Sequence, residues 1–181
     1  MLQVIVQISP EMWDEKNEVF VDPKTVTLQL EHSLVSISKW ESKWHKPFLS
    51  KDEKTYDETI DYIKCMTLTQ NVKPEVYDHL SNDNVAEINS YIGDSMTATT
   101  FGKDRNSPPN REIITSEVIY YWMIALNIPF ECQKWHLNRL LTLIRVCNIK
   151  NNPGKKLSIR ETLSKFDAIN AANRKRFHTK G

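Results

Sequence analysis

Thr25-Val26-Thr27-Leu28-Gln29-Leu30-Glu31-His32-Ser33-Leu34-Val35-Ser36-Ile37-Ser38-Lys39-Trp40-Glu41-Ser42-Lys43-Trp44 contains the change of period that decides the fold class. Up to Leu30 apolar residues alternate with polar ones, so Val26, Leu28 and Leu30 share one face of a strand. After Glu31 the apolar positions Leu34, Ile37, Trp40 and Trp44 recur at the spacing of one helix face, and Pro47 predicts that the helix ends before it. Toward the N-terminus, Leu2 to Ile8 alternates and Glu18 to Val21 is a second extended run. Asp22-Pro23-Lys24 is the turn that precedes Thr25, since proline presets the backbone angle of a turn's second residue.

Toward the C-terminus the periodicity stays helical. Thr55 and Glu58 form a capping box that predicts a helix through Ile60, Ile63 and Met66, and Pro74 suits the first position of a helix over Glu75 to Leu80. Asn84 is the expected cap of a segment carrying Val85, Ile88, Tyr91 and Ile92, with Gly93 at its end. Residues 94–111 form a long connection containing Pro108-Pro109. Thr115 caps Glu117 to Leu126, whose side chains are apolar almost all round, so this helix is expected to be the least exposed. A turn at Asn127 to Phe130 leads into one continuous helix from Glu131 to about Ile149, and Ser158 with Glu161 marks a last one. The expected architecture is α+β: a small N-terminal antiparallel sheet or hairpin packed on a predominantly α-helical bundle. Residues 1–150 make one domain, with strands in 1–31 and helices in 32–150, and 151–181 make a basic C-terminal helix and tail.

The chain has 181 residues, 40% hydrophobic and 26% charged, which suits one ordered domain with a tail and argues against disorder throughout. A net charge of +1 hides a strong asymmetry. Residues 145–181 hold ten basic and two acidic groups, net +8, whereas residues 1–144 hold fourteen basic and twenty-one acidic groups, net −7. Such poles attract complementary partners or a second copy of the chain, so a homo-oligomer is one expectation. Three scattered cysteines, Cys65, Cys132 and Cys147, suit a reducing compartment better than a disulfide framework. The N-terminal residues lack the basic start of a signal peptide, and the apolar stretch Val118 to Leu126 is too short for a bilayer, so neither export nor a membrane span is expected.

Tests for chemistry come back weak. Cys132 and His136 stand four apart in the expected helix, but two ligands are not a metal site, and nothing marks an oxyanion hole for a thiol nucleophile. The four glycines are isolated, so no phosphate cradle forms, and Asp57 with Asp61 reads as a solvated helix face. No enzymatic activity, metal or cofactor is expected. Nucleic-acid binding is not expected, because the body is acidic and only Arg174, Lys175 and Arg176 of the tail would meet phosphate. The large rings Trp40 and Trp44 on an otherwise polar helix point toward a protein partner.

Four stretches, with the closing run Asn173-Arg174-Lys175-Arg176-Phe177-His178-Thr179-Lys180-Gly181, carry a resemblance: Leu30 to Glu41, Met96 to Phe101, Ile114 to Met123 and Trp135 to Ile144. Together they resemble small proteins of the tail gene cluster of tailed bacteriophages, often treated as tail assembly chaperones. The resemblance covers nearly the whole chain. It implies a non-enzymatic factor that binds the tape-measure protein or tail-tube subunits in the host cytoplasm and covers apolar surface until assembly. The expected contact surface is Trp40, Trp44 and Phe101, rimmed by Lys134 and Arg139. The rival expectations are a structural component of the virion tail or baseplate and, with less weight, a nucleic-acid-binding or host-modifying phage factor.

Overall fold

In a computed structural model of the chain, residues 1–10, 12–14, 19–101 and 113–151 are described. The chain divides into two compact units, Met1–Arg145 and Val146–Gly181. Of the second unit only residues 146–151, the end of one helix, are described.

The first unit is α+β. Strands β1 (Leu2–Gln7) and β4 (Thr25–Leu30) pair antiparallel with Leu2 opposite Leu30 and Val4 opposite Leu28. Their alternation works as expected: Val4, Val6, Leu28 and Leu30 are buried, while Ile5 between them faces outward. A separate hairpin of β2 (Met12–Asp14) and β3 (Val19–Val21) is inserted between them. The Pro23 turn therefore joins strands of two different sheets, β3 and β4, which do not pair with each other.

Helix α1 (Leu34–Trp44) is the centre of the unit, packing against α2 (Tyr56–Met66), α4 (Ser116–Ala125) and a 3₁₀ segment, Phe130–Lys134. Ser33 caps α1 in a reciprocal box with Ser36, and His45 closes it in the left-handed conformation at φ 53°. The Thr55–Glu58 box caps α2 as expected. The Pro74 segment is a 3₁₀ helix, Pro74–His79. Helix α3 (Asn82–Gly93) starts earlier than expected: its cap is Ser81, and Asn84 is the reciprocal partner three residues into the helix. It packs on β1, with the Asn84 amide donating to the Ile5 carbonyl at 3.3 Å.

Two expectations fail. Helix α4 is not the least exposed: only Ser116, Ile119 and Met123 are buried, and Tyr121 and Ile124 stand well out. An all-apolar helix remains amphipathic in its burial when neighbours cover only one side of it. The single helix expected from Glu131 is broken into the 3₁₀ segment Phe130–Lys134 and α5 (Leu137–Asn151). The cause is tertiary: residue 136 forms a β-bridge with Ser33, and the Leu137 N–H donates to the His32 carbonyl at 2.7 Å, so this backbone is engaged elsewhere. The expected helix at Ser158 lies outside the described residues.

Candidate functional site

The structure disperses the expected contact surface. Trp40 is 1% exposed and its indole N–H donates to the Glu58 carbonyl at 2.9 Å, so it is core and is removed from any docking surface. Its large ring fills space beside α2, and its one polar atom is satisfied there. Trp44 is half-buried, stacked on Trp40 at 6.2 Å, with its N–H on the Asp61 carboxylate at 2.9 Å. The same carboxylate pairs with Lys43. Partial burial raises the Asp61 pKa, but the Lys43 and Trp44 hydrogen bonds together hold it below the usual range. Asp61 thus supports the helix pair. Phe101 is half-buried with the Arg145 guanidinium 4.0 Å from its ring centre, and Arg174, Lys175 and Arg176 lie outside the described residues.

Lys134 and Arg139 do come together. Both line a hollow of about 220 Å³ whose other walls include Glu31, Met96, Trp135 and His136. The Arg139 guanidinium lies over the Trp135 ring at 4.3 Å. A cation at this distance is attracted by the ring face, and the guanidinium's N–H donors are suited to a planar acceptor such as a carboxylate. A second hollow of about 210 Å³ adjoins the first, sharing Glu31 and Lys134 with it. Its walls are largely apolar, from Val35, Met66 and Leu68, with Cys65 among them and Lys39 contributing a cation. Burial raises the Cys65 thiol pKa, and Asp61 raises it further, so the sulfur is held as the neutral thiol.

Behind this groove runs a buried polar seam. The Tyr62 hydroxyl and His32 Nδ1 are 2.5 Å apart, and the His32 and His136 rings meet edge-on at 5.0 Å. His136 Nε2 donates to the Tyr91 carbonyl at 3.0 Å and Nδ1 accepts the Asn138 N–H at 3.3 Å, so both ring nitrogens have partners. The Tyr91 hydroxyl donates to Glu31 at 2.7 Å, and the other Glu31 oxygen takes the N-terminal amine of Met1 at 2.9 Å. Burial, with the adjacent His136 ring disfavouring a second positive charge beside it, lowers the His32 pKa to about 4, and burial raises that of Tyr62. The seam is scaffolding: its polar groups partner one another, and Glu31 and His136 are the members that also line the first hollow.

His136 and Cys132 do not share a helix, and Cys132 is a buried thiol whose pKa burial raises. Among the described residues no three His, Cys, Asp or Glu side chains are grouped to hold a metal, and no helix is long and apolar enough to cross a membrane. Sequence reasoning missed Val35, Cys65 and Leu68 as groove walls, because they lie on separate elements. It also missed the exposed α4 face, for which the all-round apolarity was the available signal.

The chain matches no protein-family model, no curated protein and no solved structure.

Proposed function

We propose that the chain is a non-enzymatic phage tail assembly factor that binds the tape-measure protein or tail-tube subunits through apolar surface. The observation that carries this reading is the outer side of α4. Tyr121 and Ile124, one helical turn apart, are 66% and 61% exposed, and Ile113 just before the helix is 68% exposed. Phe130, 52% exposed and 6.4 Å from the Tyr120 ring, continues the apolar exposure past the end of α4. Large apolar side chains clustered at this exposure suit the apolar stripe of a partner helix, the surface a long helical protein presents before it is assembled. The resemblance of the chain to tail-cluster proteins supplies the identity of that partner.

The test pairs mass spectrometry of purified virions with an affinity pull-down from infected cells, both scored for this chain and for the tape-measure protein. Capture of tape measure with absence from virions supports an assembly factor. Stoichiometric presence in virions would make it a structural tail component instead. A Tyr121→Ser, Ile124→Ser double variant should lose capture while unfolding within about 0.5 kcal/mol of wild type, as exposed substitutions do.

A further inference from the structure

We propose a second binding site, distinct from the α4 face: the groove formed by the two adjoining hollows takes a linear segment of a protein partner in which an apolar side chain is followed by a carboxylate. The apolar side chain enters the half walled by Val35, Met66 and Leu68, and the carboxylate meets Lys134 and Arg139 in the other.

Charge decides the occupant. Residues 1–144 carry a net charge of −7, yet three cations, Lys39, Lys134 and Arg139, line this groove, and none of them makes an ion pair with a described residue. The carboxylate that is present, Glu31, has one oxygen on Tyr91 and the other on the Met1 amine, so it does not neutralise them. Lys134 lines both hollows, with Lys39 in one and Arg139 in the other, so like charges repel in each, and an incoming carboxylate relieves that repulsion. Arg139 is held near Trp135, 4.3 Å from its ring centre, and its guanidinium has the paired N–H donors that match a carboxylate. A polyanion such as nucleic acid fits less well: the acidic body repels it, and the apolar half of the groove has no role in holding a phosphate chain. Each hollow has room for one side chain, the scale of a short linear motif rather than of a cofactor.

The test uses an array of short random-sequence peptides probed with the full chain, and competition by oligodeoxythymidine. The expected selection is a motif of one large apolar residue followed by one or two acidic residues. A Lys134→Gln, Arg139→Gln variant, both positions being exposed, should keep its thermal unfolding curve and lose about tenfold or more in affinity for the selected peptides. The bound peptide should also slow alkylation of Cys65, read separately from Cys132 and Cys147 by mass spectrometry of the digest. Selection of neutral or basic motifs overturns the proposal, as do equal binding to wild type and variant, unchanged Cys65 alkylation, or displacement of the selected peptides by the oligonucleotide. The Lys134→Gln, Arg139→Gln comparison reads the groove and leaves the α4 face unchanged, so its failure leaves the tail-assembly reading to stand or fall on the pull-down.

Discussion

The two ends of α1 are both anchored by buried polar groups, and they use opposite chemistry. At the N-terminal end the groups are neutral: His32 shares a hydrogen with Tyr62, its ring rests against His136, and its carbonyl accepts from Leu137. At the C-terminal end the anchor is a carboxylate. Glu41 is buried, with one oxygen accepting the Phe48 N–H and the other the Ser116 N–H, each at 2.7 Å. Ser116 is the first residue of α4, so Glu41 takes one of the unpaired donors at that helix start and lies where the helix dipole favours negative charge. A neutral seam is stable until protons are added to it, whereas a buried carboxylate is stable only while its donors stay in place. The two ends should therefore fail under different perturbations.

The largest effect is expected at the charged end. Glu41→Ala leaves two buried N–H groups without acceptors and should cost about 2 to 6 kcal/mol in denaturant unfolding, at about 1 to 3 kcal/mol for each orphaned donor. Glu41→Gln keeps one acceptor oxygen and should fall between the variant and wild type. A loss below about 1 kcal/mol for Glu41→Ala would show that the carboxylate is not an anchor.

The neutral end should instead respond to pH. The His32 pKa lies near 4 in the fold against 6.5 in the unfolded chain, so between those values the unfolded state binds more protons. Stability should be complete above about pH 6.5, decline as pH falls toward 4, and lose about 3 kcal/mol over the interval, at about 1.4 kcal/mol per unit. Asp61 and Glu58, whose pKa values are lowered, add their losses only at the acidic end of that range and below it. A His32→Asn variant should flatten the slope between pH 6.5 and 4 whatever its stability at neutral pH. An unchanged slope would take His32 out of the seam's proton balance.

How far these anchors can be read from sequence follows from how far apart their parts lie. The strands Leu2–Gln7 and Thr25–Leu30 and the helices Leu34–Trp44 and Tyr56–Met66 follow from period and capping boxes, which are local. The depth of α4 and the break at Trp135 and His136 do not, because burial depends on neighbours and the break on a bridge to Ser33, about a hundred residues away in sequence. The same division holds at the surface. Lys134 and Arg139, close in sequence, do line one hollow, whereas Trp40 and Trp44 separate into a core ring and a half-buried one although both sit on one helical face. Residue type marks a tryptophan as costly to expose, and only packing decides whether it is exposed.

The smallest expected effect sharpens the contrast between local and borrowed caps. Ser33 and Thr115 both occupy the N-cap position with extended backbone, and both are residue types suited to it. The Ser33 hydroxyl accepts the Ser36 N–H at 3.3 Å, and the Ser36 hydroxyl takes the Ser33 N–H at 2.8 Å, whereas the Thr115 side chain makes no capping bond. Ser33→Ala should therefore cost about 1 kcal/mol, and Thr115→Ala about half of that or less, because the acceptor at the start of α4 is Glu41. Equal losses at the two positions would mean that Thr115 caps α4 after all and that the remote carboxylate is redundant. In a Glu41→Ala background the order should change, with Thr115→Ala becoming costlier than in wild type, since the helix start would then depend on whatever its own first turn can offer.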